Sequence, residues 1–384
     1  MRIALITDGV YPYVIGGMQR HSFYLARYLA SHGQQVDLYH TNQSEHDINR
    51  LEFFTEDERK NIRSFVVKFP SLGKSFGHYI KESYEYSRQV YKIFKEQTPP
   101  DFVYCKGFSG WELINQKRKG VSLPPIGVNF HGYEMFQPPA SWMEQLKAAL
   151  LLRGPVKFCV ANADYLFSYG GKITGIIEGL GVSRNKIIEI PAGVTSDWIY
   201  TNPHAKGTVR KFLFVGRFER RKCLPELYKA IRTLPAQSKA EFHFVGDIPL
   251  KHRIADQRCV FHGAVTGAEQ LKAHYRSADV VVCPSRSEGM PNVILEGMAS
   301  GAAVLATNVG AVSIAVDDTC GWLIEPGSQR ELNEAIQKAA TCTEEELLRK
   351  QASALKKVQE KFNWDVIGLQ TVEAIAARLR SEQG

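Results

Sequence analysis

Residues 285–301, SRSEGMPNVILEGMASG, decide how the chain reads. A strand-like run, ADVVVCPS (278–285), leads into them. Pro291 suits the first turn of a helix, where its missing N–H is no loss. The helix then carries Val293, Ile294, Leu295, Gly297, Met298 and Ala299, and stops at Gly301, a favoured residue just past a helix end. A helix apolar on nearly every side is a buried one. Yet Glu296 stands inside it and Glu288 in the loop before it, with seven residues between them. Buried carboxylates are rare without a partner. Either a protein cation neutralises Glu296, or ligand hydroxyls take it as their acceptor. The helix N-terminus between the two acids is a ready anion site. Two hydroxyl acceptors flanking a phosphate cradle suit a nucleotide sugar. The plainer alternative is that Glu288 only favours the helix dipole and Glu296 is a structural ion-pair partner.

The surrounding chain repeats one theme. RIALIT (2–7) predicts a buried parallel strand, and Gly16 and Gly17 precede a helix with apolar Met18, Leu25, Tyr28 and Leu29. Paired glycines allow a backbone close to a ligand at a helix N-terminus, although a tight turn needs them equally. Further strands are predicted at 35–41, 65–70, 101–107, 125–132, 156–162 and 185–194, and a polar loop or short helix at 44–60. The 125–132 strand ends at His131, where ligands of open parallel sheets gather. Ser141 and Glu144 form a capping box opening WMEQLKAALLLR, whose apolar face either packs on its own domain or meets lipid. TNPHAKGT (201–208) predicts a linker. A second series of strands begins with KFLFVGRFERRKC, where Gly216 ends a strand and Arg217, Arg220, Arg221 and Lys222 precede a helix. Cations there oppose the macrodipole by about 0.3–1 kcal/mol each, unless an anion binds among them. Arg220 and Arg221 read as a solvated basic loop. Helices are predicted at 328–340, 343–361 and 364–380. Strands alternating with helices in both halves give two doubly wound parallel sheets facing a cleft.

Composition bounds the function. With 384 residues and 44 % hydrophobic content, the chain is large enough for two cored domains. The net charge of +8 is spread evenly, 23 Lys/Arg against 19 Asp/Glu in residues 1–200 and 25 against 21 beyond, so no basic tail marks a nucleic-acid binder. It suits anionic small ligands or an anionic membrane surface. No apolar run approaches bilayer length, and the N-terminus reads as a strand and not a signal peptide. Seven cysteines without a C-x-x-C pair point to reduced thiols in the cytoplasm and away from a disulfide framework or zinc site.

The E-x7-E pattern after a Pro-Ser strand end, then E-G-M-A-S-G, resembles the retaining glycosyltransferases of family 4. The resemblance extends over almost the whole chain and implies the GT-B fold. It implies an acceptor-binding domain over 1–200, a nucleotide-sugar domain over 201–363, and a last helix (364–384) crossing back onto the first domain. Arg217 and Lys222 match the family's G-R-x4-K pattern and imply a grip on the donor diphosphate, although Cys223 replaces the usual glycine. The resemblance puts Glu288 on the transferred sugar, Glu296 on the ribose, and His131 beside the sugar from across the cleft. Gly16, Gly17, Gly216, Gly289, Met290, Pro291 and Asn292 complete the expected donor site. No D-x-D metal motif occurs, so neither a metal nor a cofactor is expected. The implied reaction moves a hexosyl group from a nucleotide-diphosphate sugar, a UDP-sugar by preference, to a saccharide or glycolipid, in cell-surface polysaccharide or lipopolysaccharide synthesis. Peripheral contact with the inner membrane fits that setting. With no evident nucleophile, a front-face route in which the leaving phosphate takes the acceptor's proton is preferred. Competing readings are a sugar-nucleotide epimerase or hydrolase on the same fold, and a non-catalytic nucleotide-sugar-binding regulator. A dinucleotide enzyme is disfavoured because no G-x-G-x-x-G follows either first strand.

Overall fold

The structure, a computed structural model, describes all residues except 15, 42–51, 74–76, 140, 201–206 and 384. The first half builds a seven-stranded sheet from β1 (Arg2–Ile6), β2 (Gln35–His40), β3 (Ile62–Val66), β4 (Phe102–Lys106), β5 (Ile126–Asn129), β6 (Tyr165–Ser168) and β7 (Ile187–Glu189). Their spatial order is β3-β2-β1-β4-β5-β6-β7, and every pairing is parallel. The second half builds six strands: β8 (Arg210–Val215), β9 (Ala240–Val245), β10 (Cys259–Gly263), β11 (Val280–Cys283), β12 (Ala303–Thr307) and β13 (Gly321–Ile324). They run β10-β9-β8-β11-β12-β13, again all parallel. Strands buried on both faces need continuous apolar runs. β1, β4, β11 and β12 supply them, with Ile3–Ile6, Val280–Val282 and Ala303–Ala306 fully or almost fully buried. The strand order reverses beside β1/β4 in one sheet and β8/β11 in the other. Loops leaving those strands diverge and open a crevice.

The Asn292–Ala299 helix is the buried helix expected from its sequence, with Ile294 through Ala299 all inaccessible. Gly301 follows it at φ 82°, a left-handed C-terminal turn. Gly297 lets it sit hard against β11, since a Cβ there would stand 2.6 Å from Val281 Cγ2. The last helix, Trp364–Gln383, lies against the first half: Trp364 stacks on Tyr28 of the Gly17–Ser31 helix, centroids 5.8 Å apart. Val194 pairs with Asn363, just before that helix.

Several sequence expectations need correction. Residues 156–162 are not a strand but part of the Arg153–Asn162 helix. Its buried residues, Val156, Cys159 and Val160, have helical spacing, and β-branched content alone misled the reading. The strand comes after it, at β6. The strand predicted at 65–70 lies earlier, at β3, and only three residues of 185–194 pair as β7. The helix opened by Ser141 packs on its own half only at its far end, where Leu151 faces Gly77 and Leu152 lies against the core. Between Trp142 and Leu152 none of its residues is buried, and Trp142 and Leu150 are 72 % and 64 % exposed. Most of the expected linker, and much of the polar stretch after 44, lie outside the described residues. Among the described residues, no helix is long and apolar enough to cross a membrane.

Candidate active site

A cavity of about 570 Å³ lies between the two sheets, lined from both halves. The loops after β1, β4 and β5 bring Gly17, Gly107, His131, Gly132 and Glu134. The loops after β8 and β11 bring Arg221, Lys222, Glu288, Gly289, Met290, Pro291 and Asn292. Gly289 is required by the closeness of the halves: a Cβ there would be 3.0 Å from the His131 carbonyl oxygen and 3.1 Å from Gly132 Cα.

Glu288 is buried and doubly paired. Lys222 Nζ lies 2.6 Å and Arg221 Nη1 2.9 Å from its Oε1. Burial pushes its carboxyl up, but the two cations more than offset this and hold it below the usual range. The Glu288 backbone is clasped from the other half. Gln137 Nε2 donates to the Glu288 carbonyl at 2.6 Å and Gln137 Oε1 accepts from the Glu288 N–H at 3.3 Å. Beside this acid the Asn292 helix points its N-terminus, with Pro291 at the cap and no side-chain cap, so its free N–H groups face the cavity.

The basic loop is rearranged relative to expectation. Arg221, read as solvated, lines the cavity. Arg217, read as a diphosphate ligand, does not line it: its side chain is 81 % exposed and pairs with Glu219 at 2.8 Å. Glu219 also binds Arg221 Nε at 2.9 Å, so Arg217 reaches Glu288 only through that relay. Gly216 and Gly16 likewise lie off the cavity wall, at the end of β8 and at the cap of the Gly17 helix. Cys223 follows Lys222 at φ 54°, the left-handed conformation that glycine adopts freely.

Glu296 has the protein cation that was one of its two readings. Arg20 Nη1, from the opposite half, lies 2.8 Å from Oε1, and the buried Tyr275 hydroxyl donates to Oε2 at 2.8 Å. Burial still raises its carboxyl above the usual range. It faces a second, narrow cavity of about 20 Å³, shared with Arg20 and Asn292, and not the large one.

His131 sits at φ 60°, its N–H donating to Asn129 Oδ1 at 2.7 Å and its Nδ1 hydrogen-bonded to the Tyr169 hydroxyl. Its Nε2 is buried without a partner. Burial and the charge of Lys106 depress its pKa well below the ordinary value, so the ring is neutral at pH 7. Lys106 is buried as well, its Nζ hydrogen-bonded to His21 Nδ1 at 2.8 Å.

Arg20, Glu134, Gln137 and Arg221 were missed from sequence. Arg20 did carry a signal: a cation in the first turn of a helix opposes the dipole and needs an acid nearby. Gln137, in an irregular loop, carried none.

Comparison with known proteins agrees with this geometry. Residues 15–198 match the profile described as Glycosyltransferase Family 4, and residues 209–341 that described as Glycosyl transferases group 1. The chain belongs to the GT-B glycosyltransferases. This glycosyltransferase is 35 % identical over 222 residues to the putative teichuronic acid biosynthesis glycosyltransferase TuaC of Bacillus subtilis, covering 55 % of this chain and 54 % of TuaC. Sucrose-phosphate synthase from Thermosynechococcus elongatus superposes with a TM-score of 0.78 at 20 % identity, covering 99 % of each chain. Anabaena HepE, solved in complex with UDP-glucose, superposes at 0.67 and 15 % identity, covering 98 % of this chain and all of that one. Membership in a transferase family sets aside the epimerase and regulator readings of the glycosyltransferase.

Proposed function

We propose that this enzyme transfers a hexosyl group, with retention, from a nucleotide-diphosphate sugar bound in the 570 Å³ cavity to a saccharide or glycolipid acceptor. One observation carries the reading: Lys222, Arg221 and the uncapped Asn292 helix N-terminus converge on one wall of that cavity. Breaking the bond from C1 to the diphosphate leaves negative charge on the leaving group, and these groups are pre-aimed at it. Two cations and a helix terminus supply what a metal supplies elsewhere, so the reaction is proposed to be metal-independent. Glu288 takes sugar hydroxyls, with Gly289 and Met290 presenting backbone to sugar and phosphate. His131, neutral and with a free Nε2, contacts the sugar from the first half. Glu296 serves the ribose only if two hydroxyls displace Arg20. Departure and attack occur on one face of C1.

Uracil is the proposed base, with UDP as the leaving group, supported by the likeness to HepE and its UDP-glucose complex. Cell-surface polysaccharide or lipopolysaccharide assembly is supported by the likeness to TuaC. Residues 1–200 are read as the acceptor domain and 201–363 as the donor domain. A cytoplasmic setting fits the seven cysteines, all free. The exposed Trp142, Met143, Leu146 and Leu150 fit peripheral contact with an anionic membrane surface. A thermal-shift panel of nucleotide sugars tests the donor reading, because bound donor stabilises the native state by mass action. A rise in Tm with UDP-sugars is expected. No shift with any nucleotide sugar would contradict the reading.

A further inference from the structure

The helix opened by Ser141 has two sides with different surroundings. On one side Trp142, Met143, Leu146 and Leu150 are each at least half exposed. Their spacing, i, i+1, i+4 and i+8, puts all four on one face. The helix start is fixed by the Ser141 hydroxyl, which accepts the Glu144 N–H at 3.3 Å. Single exposed apolar side chains are ordinary, but a contiguous group rimmed by charge marks a contact surface. Residues 142–162 hold three cations, Lys147, Arg153 and Lys157, against one acid, Glu144, in a chain of net charge +8. That balance complements an anionic lipid surface.

The other side of the helix reaches the active site. Over Ala148–Leu152 the helix widens to a π turn, a rare form frequent at functional sites. There Leu151 meets Gly77, where a Cβ would lie 3.2 Å from Leu151 Cδ2. Leu152 lines the 570 Å³ cavity. Tyr79, two residues past Gly77, lines the same cavity and is 47 % exposed. The helix is therefore a lip of the cavity, and Tyr79 and Leu152 mark its mouth. Inside the mouth the first-half wall continues with Met18, Phe108, Phe130 and Met135. Aromatic rings stack on sugars, but methionine and leucine suit hydrocarbon. A free saccharide gains nothing from four apolar side chains outside the cavity, whereas lipid removes them from water.

We propose that the acceptor is lipid-linked, and that the Trp142–Leu150 face rests on the anionic bilayer that carries it, so that the acceptor sugar enters past Tyr79 and Leu152. This rests on the donor reading above and narrows its acceptor from a saccharide or glycolipid to a glycolipid. Trp142 takes the headgroup level, where an indole meets both water and hydrocarbon. Met143, Leu146 and Leu150 enter the acyl boundary, and the exposed Lys147 at the flank of the face meets lipid phosphate. The lipid stays in the bilayer, and only the sugar reaches the cleft.

The test uses vesicles of phosphatidylglycerol and phosphatidylethanolamine, titrated without nucleotide. Wild type should bind them about tenfold or more tightly than Trp142→Ser/Leu150→Ser. That variant should keep its Tm and bind UDP within about threefold of wild type, since both side chains lie off the cavity wall. To locate the mouth, Tyr79→Trp is added to Trp142→Phe, and the vesicles carry brominated acyl chains that quench tryptophan at short range. The indole at 79 should be quenched relative to Trp142→Phe alone. Equal vesicle binding by wild type and the double variant, or binding by neither, overturns the proposal. So does self-association in place of vesicle binding, which would mean that a second copy covers the face. A vesicle-bound protein unquenched at position 79 would have its mouth away from the lipid, and overturns the acceptor class. Docking is read without nucleotide, so its failure leaves the donor reading standing. Docking by a wild type that does not bind UDP would overturn the donor reading, and the acceptor class with it.

Discussion

Arg20 and Glu296, 276 residues apart in sequence, meet at 2.8 Å across the cleft, and so one buried acid ties the two halves together. Glu296 is almost inaccessible, and Arg20 is about one-third exposed at 32 %. Removing Arg20 leaves a buried carboxylate with only the Tyr275 hydroxyl. We expect Arg20→Ala to cost about 1–3 kcal/mol in urea unfolding, toward the lower end because solvent reaches the arginine. Because a ribose would have to displace Arg20, UDP affinity in Arg20→Ala should be equal or tighter. Glu296→Gln should weaken UDP binding at least tenfold by calorimetry. Unchanged UDP affinity in Glu296→Gln would remove the ribose role and leave only the tie.

The two arginines of the basic loop can be ranked. Arg221 lines the cavity and touches Glu288, whereas Arg217 stands outside behind Glu219. Arg221→Ala should raise the Kd of UDP about tenfold, some 1.4 kcal/mol. Arg217→Ala should change it less than threefold. The opposite ranking would mean that the loop swings on binding and brings Arg217 in.

Cys223 explains why a glycine is usual after the lysine of the resembled family. Its φ of 54° costs a non-glycine residue roughly 1–2 kcal/mol. The thiol is buried, so it recovers some of that by packing. Cys223→Gly should therefore change stability by less than about 1 kcal/mol in chemical denaturation. Cys223→Val, β-branched in a left-handed position, should lose about 2 kcal/mol or more. A valine variant as stable as wild type would mean that the turn relaxes.

Asp8, just beyond β1, gives a pH signature. Burial pushes its carboxyl up to about 6, with Gln19 pulling the other way. An unfolded aspartate titrates near 4. A raised folded pKa contributes stability that is fully present below the unfolded value and lost as pH climbs through the folded one. Wild type should thus lose stability relative to Asp8→Asn between about pH 4 and 6. Urea midpoints that run parallel for the two proteins would contradict the assignment.

Much of this was legible beforehand because the fold is written in local signals. The β11 run, Pro291, the apolar Asn292 helix and Gly301 each specify their own geometry. The misreadings have physical causes. Residues 156–162 have strand composition, but the contacts of Val156, Cys159 and Val160 with the first half's core make them helical. Trp142 and Leu150 have an amphipathic pattern that any protein could bury, and this one leaves it exposed. Glu288 and Lys222 were visible as a spaced motif. Gln137, Arg20 and Glu134 act across the cleft, and pairing between residues more than a hundred positions apart leaves no periodicity in either segment.

The measurement closest to the central claim is calorimetric titration of UDP into wild type and Lys222→Ala, with circular dichroism confirming that the variant is folded. If Lys222 and the Asn292 helix hold a diphosphate, wild type binds UDP and the variant binds it at least tenfold more weakly. Equal affinity in the two proteins would place the nucleotide elsewhere and contradict the account.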